Sequence, residues 1–187
     1  MWEIKFSGFG GQGIVRCALI TGKAVALYDD KFATMTQSFG PEARGGACQS
    51  QLVVSGDRVA YPYCTKADVL VALSQEAHDK YAPDLSDGGI LIYEEELVTP
   101  KEGDTRVKKF PIQATRIAEE VGNRLFTNLV VLGFFSAITG AASADAMKKA
   151  LPGLVPDRFL KANLKAFDKG YEHGLEAVGQ LKTDGAA

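Results

Sequence analysis

The sequence predicts an α/β fold: a three-layer α/β/α unit with a mixed, mainly parallel sheet and a helical C-terminal third. Three observations carry that expectation. Short strand-like runs and helix-compatible segments are interleaved through residues 2–110. Residues 68–73 (Asp-Val-Leu-Val-Ala-Leu) are almost wholly apolar, the pattern of a strand covered on both faces. From residue 113 onward every periodic segment has helical spacing. With 187 residues, 46% hydrophobic and 24% charged, the chain reads as one domain, 1–187, large enough to bury a core.

Taken in order, residues 2–6 (Trp-Glu-Ile-Lys-Phe) alternate as a strand. Residues 14–27 are apolar and helix-compatible, closed by Asp29 and Asp30. Residues 32–37 form a second strand rich in Thr and aromatics, and residues 48–54 a third. Ser55, Gly56 and Asp57 then turn the chain as in a hairpin. Strands follow at 68–73 and 89–93, with a weaker, more exposed one at 106–110. Residues 113–121 form a short helix. Residues 128–139 form another, apolar nearly all round and stopped by Gly140; it reads as core rather than interface. Ser143 caps a third helix of this region, and Asp157 a fourth. In that last helix Leu160, Leu164, Phe167, Tyr171, Leu175 and Val178 make one apolar stripe. Gly170 and Gly174 weaken it locally, which points to close packing on a neighbour, and residues 182–187 read as a frayed tail.

The topology places the interesting residues. A helix of about 14 residues spans about 21 Å and returns the chain for a second strand parallel to and beside the first. The loops after both strands then share one sheet edge, where ligands of open α/β sheets bind. Residues 38–46 are too few for another parallel crossover, so the third strand is expected antiparallel. The strand ending at Leu73, if parallel to the first, adds Ser74 to the same edge.

Both loops are glycine-rich. The first, Gly8-Phe9-Gly10-Gly11-Gln12-Gly13, satisfies G-x-G-x-x-G between a strand and a helix, an arrangement suited to phosphate. A dinucleotide site also wants an acid at the end of the second strand; that strand ends Thr36-Gln37-Ser38. The competing reading is a tight turn that packs helix against strand. The second loop, Ser38-Phe39-Gly40-Pro41-Glu42-Ala43-Arg44-Gly45-Gly46, fits no phosphate-loop pattern. Arg44 offers a fork to a carboxylate or phosphate, but spacing alone favours a solvated surface turn.

Other chemistry is sparse. Cys17, Cys48 and Cys64 are widely spaced, form no Cys-x-x-Cys and suit a reducing cytoplasm. His78 and His173 read as surface residues, Glu94-Glu95-Glu96 as a solvated strand end, and Arg106, Lys108 and Lys109 as an edge strand rather than phosphate contacts. A net charge of −2 gives no sign of nucleic-acid or membrane binding, and no signal peptide or bilayer-length apolar run is visible.

Together, Gly8–Gly13, Thr36–Gly46 and Ala67–Gln75 make the chain resemble the gamma subunit of 2-oxoacid:ferredoxin oxidoreductases. The wording Thr-Gln-Ser-Phe-Gly-Pro-Glu-Ala-Arg-Gly-Gly is similar to the 2-oxoglutarate branch, and the likeness covers most of the chain. The resemblance implies a cytoplasmic subunit of an enzyme of anaerobic metabolism. That enzyme converts a 2-oxoacid, coenzyme A and oxidised ferredoxin to acyl-CoA, carbon dioxide and reduced ferredoxin. It implies thiamine diphosphate, Mg and 4Fe-4S clusters on alpha, beta or ferredoxin-like delta subunits, none bound by this chain alone. It also implies coenzyme A as co-substrate, ferredoxin as a partner, and a homodimer as an option for the isolated chain. The residues agree by exclusion: Gly103-Asp104 is followed by Thr105 and no Asn pair, so no thiamine diphosphate motif is present.

The contact candidates for substrate or coenzyme A are Gly10, Gly11, Gln12, Gly13, Ser38, Gly40, Glu42, Arg44, Gly45, Gly46 and Ser74, with no catalytic or metal-ligating residue. Of these, Arg44 is the expected anion contact, with Ser38 and Gln12 as neutral hydrogen-bonding groups. Two rival readings use the same residues: a non-catalytic assembly subunit of the same complex, and a stand-alone nucleotide-binding dehydrogenase.

Overall fold

The computed structural model describes residues 1–38, 47–101 and 103–184, with 181–184 as backbone. Strands β1 (Trp2–Phe9), β2 (Phe32–Ser38), β3 (Ala47–Ser55), β4 (Ala67–Ala72), β5 (Leu85–Glu94) and β6 (Lys108–Ile112) form one sheet in the order β2-β3-β1-β4-β5-β6. The helices are α1 (Ile14–Tyr28), α2 (Gln75–Tyr81), α3 (Ala114–Val121), α4 (Thr127–Thr139), α5 (Ala144–Ala150) and α6 (Asp157–Asp184). Pairings β1–β4, β4–β5 and β5–β6 are parallel, while β3 is antiparallel to both its neighbours. The sheet is therefore mixed and mainly parallel, as the patterning predicts.

One expectation of the topology fails. β1 and β2 run in the same direction but are not neighbours: β3 lies between them. An antiparallel strand can pair with the chain on either side of it, and here it does both. The shared edge survives, because Ser7, Gln49 and Ser38 lie on one rung across the three strands. At about 4.8 Å per strand, the ends of β1 and β2 stand roughly 10 Å apart.

The predicted hairpin after Ser55 is also absent. The chain passes to β4, on the far side of β1, rather than pairing back on β3. Side chains of earlier strands hold this connection: Gln51 accepts the Cys64 N–H at 2.9 Å and Glu3 the Thr65 N–H at 2.6 Å.

Alternation along the strands makes two layers of core. Ile4, Phe6, Leu52, Val54, Val69, Val71 and Ile92 join α1 and α3–α6 in the large core; Leu70, Ala72 and Leu91 join Ala77 and Tyr81 of α2 in the smaller one. Helix α4 is core, with Leu129 to Phe135 buried. It crosses α6 so closely that a Cβ on Gly133 would run into the Phe167 carbonyl, and one on Gly170 into that of Val130. The glycines of the last helix are thus the contact itself, as the sequence suggests. Its stripe is less uniform than the spacing implies: Ala166 and Phe167 are fully buried, while Leu175 is 51% exposed. α6 runs on to Asp184, through the first residues expected to fray. Among the described residues no helix is long and apolar enough to cross a membrane.

Candidate functional site at the carboxyl edge of the sheet

Loop one is drawn tight by its own glutamine. Gln12 Oε1 accepts the Phe9 N–H at 2.6 Å, and its Nε2 donates to the Leu73 carbonyl at 2.8 Å. The Gln12 N–H closes a turn on the Phe9 carbonyl at 3.2 Å. Gly8 makes room for this, since a Cβ there would strike Gln12 Oε1. Gly11 and Gly13 have φ of 96° and 79°, the left-handed region that favours glycine. Gly13 is the N-cap of α1 and gives no side-chain cap, so the first-turn amides keep their donors and the positive end of the helix dipole is open.

That helix end opens on a cavity of about 410 Å³ between α1, the turn before α4, and the start of α6. Arg16 and Arg124 line it, and neither is in an ion pair with a described residue. Leu125, Phe126, Pro156 and Phe159 give it an apolar wall. Asn128 also lines it, 4% exposed and packed on Gly13, where a Cβ would lie 2.9 Å from Asn128 Nδ2. No hydrogen bond to a described residue engages the Asn128 side chain, whereas Asn163 on the same wall donates to the Phe159 carbonyl at 2.7 Å. Backbone donors, a helix dipole, two cations and an idle amide around an apolar wall suit an anion carrying an apolar body.

The remaining predicted site residues are placed as follows. Gly10 lies in loop one with open space around it. Ser38 ends β2 at the same edge and is exposed. Ser74 reaches that edge too, but it is 1% exposed and its Oγ accepts the Ala77 N–H at 3.3 Å as the N-cap of α2. Gly40, Glu42, Arg44, Gly45 and Gly46 lie outside the described residues. Their flanks are fixed at the site: Ser38 pairs with Gln49, and Ala47 pairs with Phe9 beside loop one. Glu76 of α2 anchors Ala47, accepting its N–H at 3.2 Å.

Arg16, Thr115, Arg124, Asn128 and Asn163 line the candidate site and were not singled out by sequence reasoning. Only their position just after loop one, just before the apolar helix or in its first turn marks Arg16, Arg124 and Asn128 in the sequence.

Two other readings are corrected. His78 is 3% exposed rather than at the surface; Nδ1 lies 2.9 Å from Asp79 Oδ1, and the ring lines a separate cavity of about 240 Å³ beside α2. The acidic run is not wholly a solvated strand end. Glu94 is 1% exposed, and its Oε2 accepts the N–H and Oγ–H of Thr115 at 3.0 and 3.1 Å, bracing the start of α3. Burial pushes its carboxyl above the usual range, the Thr115 bonds pull the other way, and among the described residues Oε1 has no hydrogen-bond partner.

By contrast, Arg106 is paired with Asp104 at 2.9 Å, and Lys108 lies opposite Ile90 at the amino edge, away from the glycine loop. His173 is an exposed residue of α6. All three cysteines are free thiols, and burial pushes Cys17 to about 12 and Cys64 to about 11. Among the described residues, no three His, Cys, Asp or Glu side chains converge on a point that a metal could occupy.

The chain that builds this edge is of a known class. Residues 3–173 match the pyruvate ferredoxin/flavodoxin oxidoreductase family, and the chain belongs to that family. It is 46% identical over 176 residues to the 2-oxoglutarate synthase subunit KorC of Methanocaldococcus jannaschii, covering 93% of this chain and 94% of that one. Among solved structures it resembles the keto/oxoacid ferredoxin oxidoreductase gamma subunit of Geobacter sulfurreducens, with a TM-score of 0.86, 40% identity and coverage of 94% and 97%. It also resembles the 2-oxoglutarate:ferredoxin oxidoreductase of Magnetococcus marinus, a structure with 2-oxoglutarate, coenzyme A and succinyl-CoA bound. There the TM-score is 0.83 at 25% identity, over 92% of this chain and 31% of that one.

Proposed function

We propose that this chain is the gamma subunit of a 2-oxoglutarate:ferredoxin oxidoreductase and supplies part of the coenzyme A site. Alpha and beta subunits, with or without a ferredoxin-like delta subunit, carry thiamine diphosphate, Mg and the 4Fe-4S clusters in this reading; ferredoxin takes the electrons. The observation that carries it is the uncapped start of α1 facing the cavity with Arg16, Arg124 and Asn128. Coenzyme A is a polyanion with a long neutral arm, and this wall offers donors and cations beside apolar surface. The chain binds and orients; the carbon–carbon cleavage is cofactor chemistry housed on its partners.

The test uses the reconstituted complex. Arg16→Ala and Arg124→Ala each remove a charge-assisted contact of about 1.5–3 kcal/mol, so the KM for coenzyme A rises by roughly 10- to 100-fold while that for 2-oxoglutarate holds. Arg44→Ala is tested in parallel, because the second loop is proposed to close over substrate or coenzyme A. Unchanged coenzyme A kinetics in all three variants would remove the assigned role. Full ferredoxin reduction by a complex lacking this chain would favour an assembly subunit.

A further inference from the structure

The cavity beside α2, of about 240 Å³, lies on the opposite face of the sheet from the one at α1. Leu85, Leu91 and Val107 give it an apolar wall, and the segment joining β5 to β6 adds Lys101, Asp104 and Arg106. That segment is tied at three points. The Thr99 N–H donates to Gln75 Oε1 at 2.7 Å, the Gly88 N–H to the Arg106 carbonyl at 2.7 Å, and Lys109 Nζ to the Lys101 carbonyl at 2.9 Å. His78 lines the same cavity, 3% exposed. Its Nδ1 lies 2.9 Å from Asp79 Oδ1, which also accepts from Gln75 Nε2 at 2.8 Å. Hydrogen bonds from His78 and Gln75 hold the Asp79 carboxyl below its usual range, so it is ionised and only accepts. The ring proton therefore sits on Nδ1, and Nε2 presents a lone pair. No described residue bonds to that nitrogen. Both acids of the lining are engaged, Asp79 with His78 and Asp104 with Arg106 at 2.9 Å. Lys101 and Lys109 also line it and are in no ion pair with a described residue.

We infer that this cavity binds a small hydroxy acid, with its carboxylate at Lys101 and Lys109, its hydroxyl donating to His78 Nε2 and its carbon chain against the apolar wall. Each contact narrows the class of ligand. A buried acceptor without a donor is unfavourable, and a ligand O–H satisfies it. A carboxylate cannot take that place, because Nε2 has no proton to give. Two lysines free of carboxylate partners among the described residues favour an anion beside them. Inorganic phosphate would leave Leu85, Leu91 and Val107 uncovered. At about 240 Å³ the cavity falls below the roughly 300–1,000 Å³ of drug-sized sites, so the ligand is short. The cavity is separate from the one at α1, and the inference survives failure of the coenzyme A reading.

The test titrates the purified chain with 3-hydroxybutyrate and follows the ring nitrogens of its two histidines by NMR. His173, exposed on α6, is the internal control. The expected result is a saturable shift at His78 Nε2 with a Kd of about 1 mM, and none at His173. Butyrate, which lacks the hydroxyl, binds about twofold to tenfold more weakly. Butane-1,3-diol, which lacks the carboxylate, binds about tenfold more weakly or worse. The double variant K101Q/K109Q weakens 3-hydroxybutyrate by about tenfold or more and leaves the diol unchanged. Far-UV circular dichroism verifies that the variant is folded, and the comparison of probes on the wild type stands even where it does not fold. Absence of a saturable His78 shift overturns the proposal. So does equal binding of the three organic probes, inorganic phosphate binding as tightly as 3-hydroxybutyrate, or an equal shift at His173.

Discussion

Gln12 donates its side-chain N–H to the carbonyl of Leu73 at 2.8 Å, across 61 residues of chain. The same amide holds the Phe9 N–H, so one side chain ties the glycine loop to the end of the neighbouring strand. Gln12→Leu removes both bonds and leaves the Leu73 carbonyl without that donor. Urea unfolding should show a loss of about 1–3 kcal/mol. Gln12→Glu restores the bond to Phe9 alone and should recover part of the loss.

Gly11 and Gly13 make a paired experiment. Both have positive φ, so alanine costs about 1–2 kcal/mol of backbone strain at either. A new methyl at position 11 meets open space, but at position 13 it meets the Asn128 side chain. Gly13→Ala should therefore lower the melting temperature more than Gly11→Ala, and only Gly13→Ala should displace Asn128 in the side-chain amide NMR spectrum.

The α4–α6 crossing tolerates no added atom. Gly170→Ala drives a methyl into the Val130 carbonyl, backbone that cannot rotate away. The helices must separate, and denaturant unfolding should register a loss of about 3 kcal/mol. Gly179→Ala on the same helix meets nothing within 4 Å and should be neutral or slightly stabilising.

Glu94 supplies a pH dependence. Burial raises its folded-state value above the unfolded one, so its stabilising contribution is full below the unfolded value near 4.5. That contribution is lost as pH rises through the raised folded value, because the buried carboxylate must then ionise. Glu94→Gln has no such titration. The stability of Glu94→Gln relative to wild type should become more favourable between pH 4.5 and pH 8, as thermal melts across that interval would show.

The periodic elements of this fold were readable because burial leaves a local mark: the apolar run at Val69–Leu73 is core, and Gly170 and Gly174 of the last helix pack closely on α4 as the sequence implies. Strand order left no such mark. Cys48, Ser50, Leu52 and Val54 alternate the same way whether β3 lies outside β2 or between β2 and β1. Buried polar groups were hidden for a related reason. Glu94 looks like a surface residue until Thr115 is brought beside it, and His78 until the chain around α2 packs over its ring. The cavity was least legible, since Arg16 and Arg124 are far apart in the sequence and come to one cavity only through the packing of α1 against α4.

The insertion of β3 between β1 and β2 has a consequence for synthesis. The first two strands leave the ribosome before their shared neighbour, and neither pairs with the other in the finished sheet. A nascent chain that stops at Gly46 holds both glycine-rich segments but no completed pairing for either strand. The residues up to Ser55 then zip β3 to β2 and β1 along registers that meet at Gln49. The carboxyl ends of β1 and β2 are therefore joined into one edge only when the connecting strand arrives, and the cavity beside it waits for residues up to Asn163.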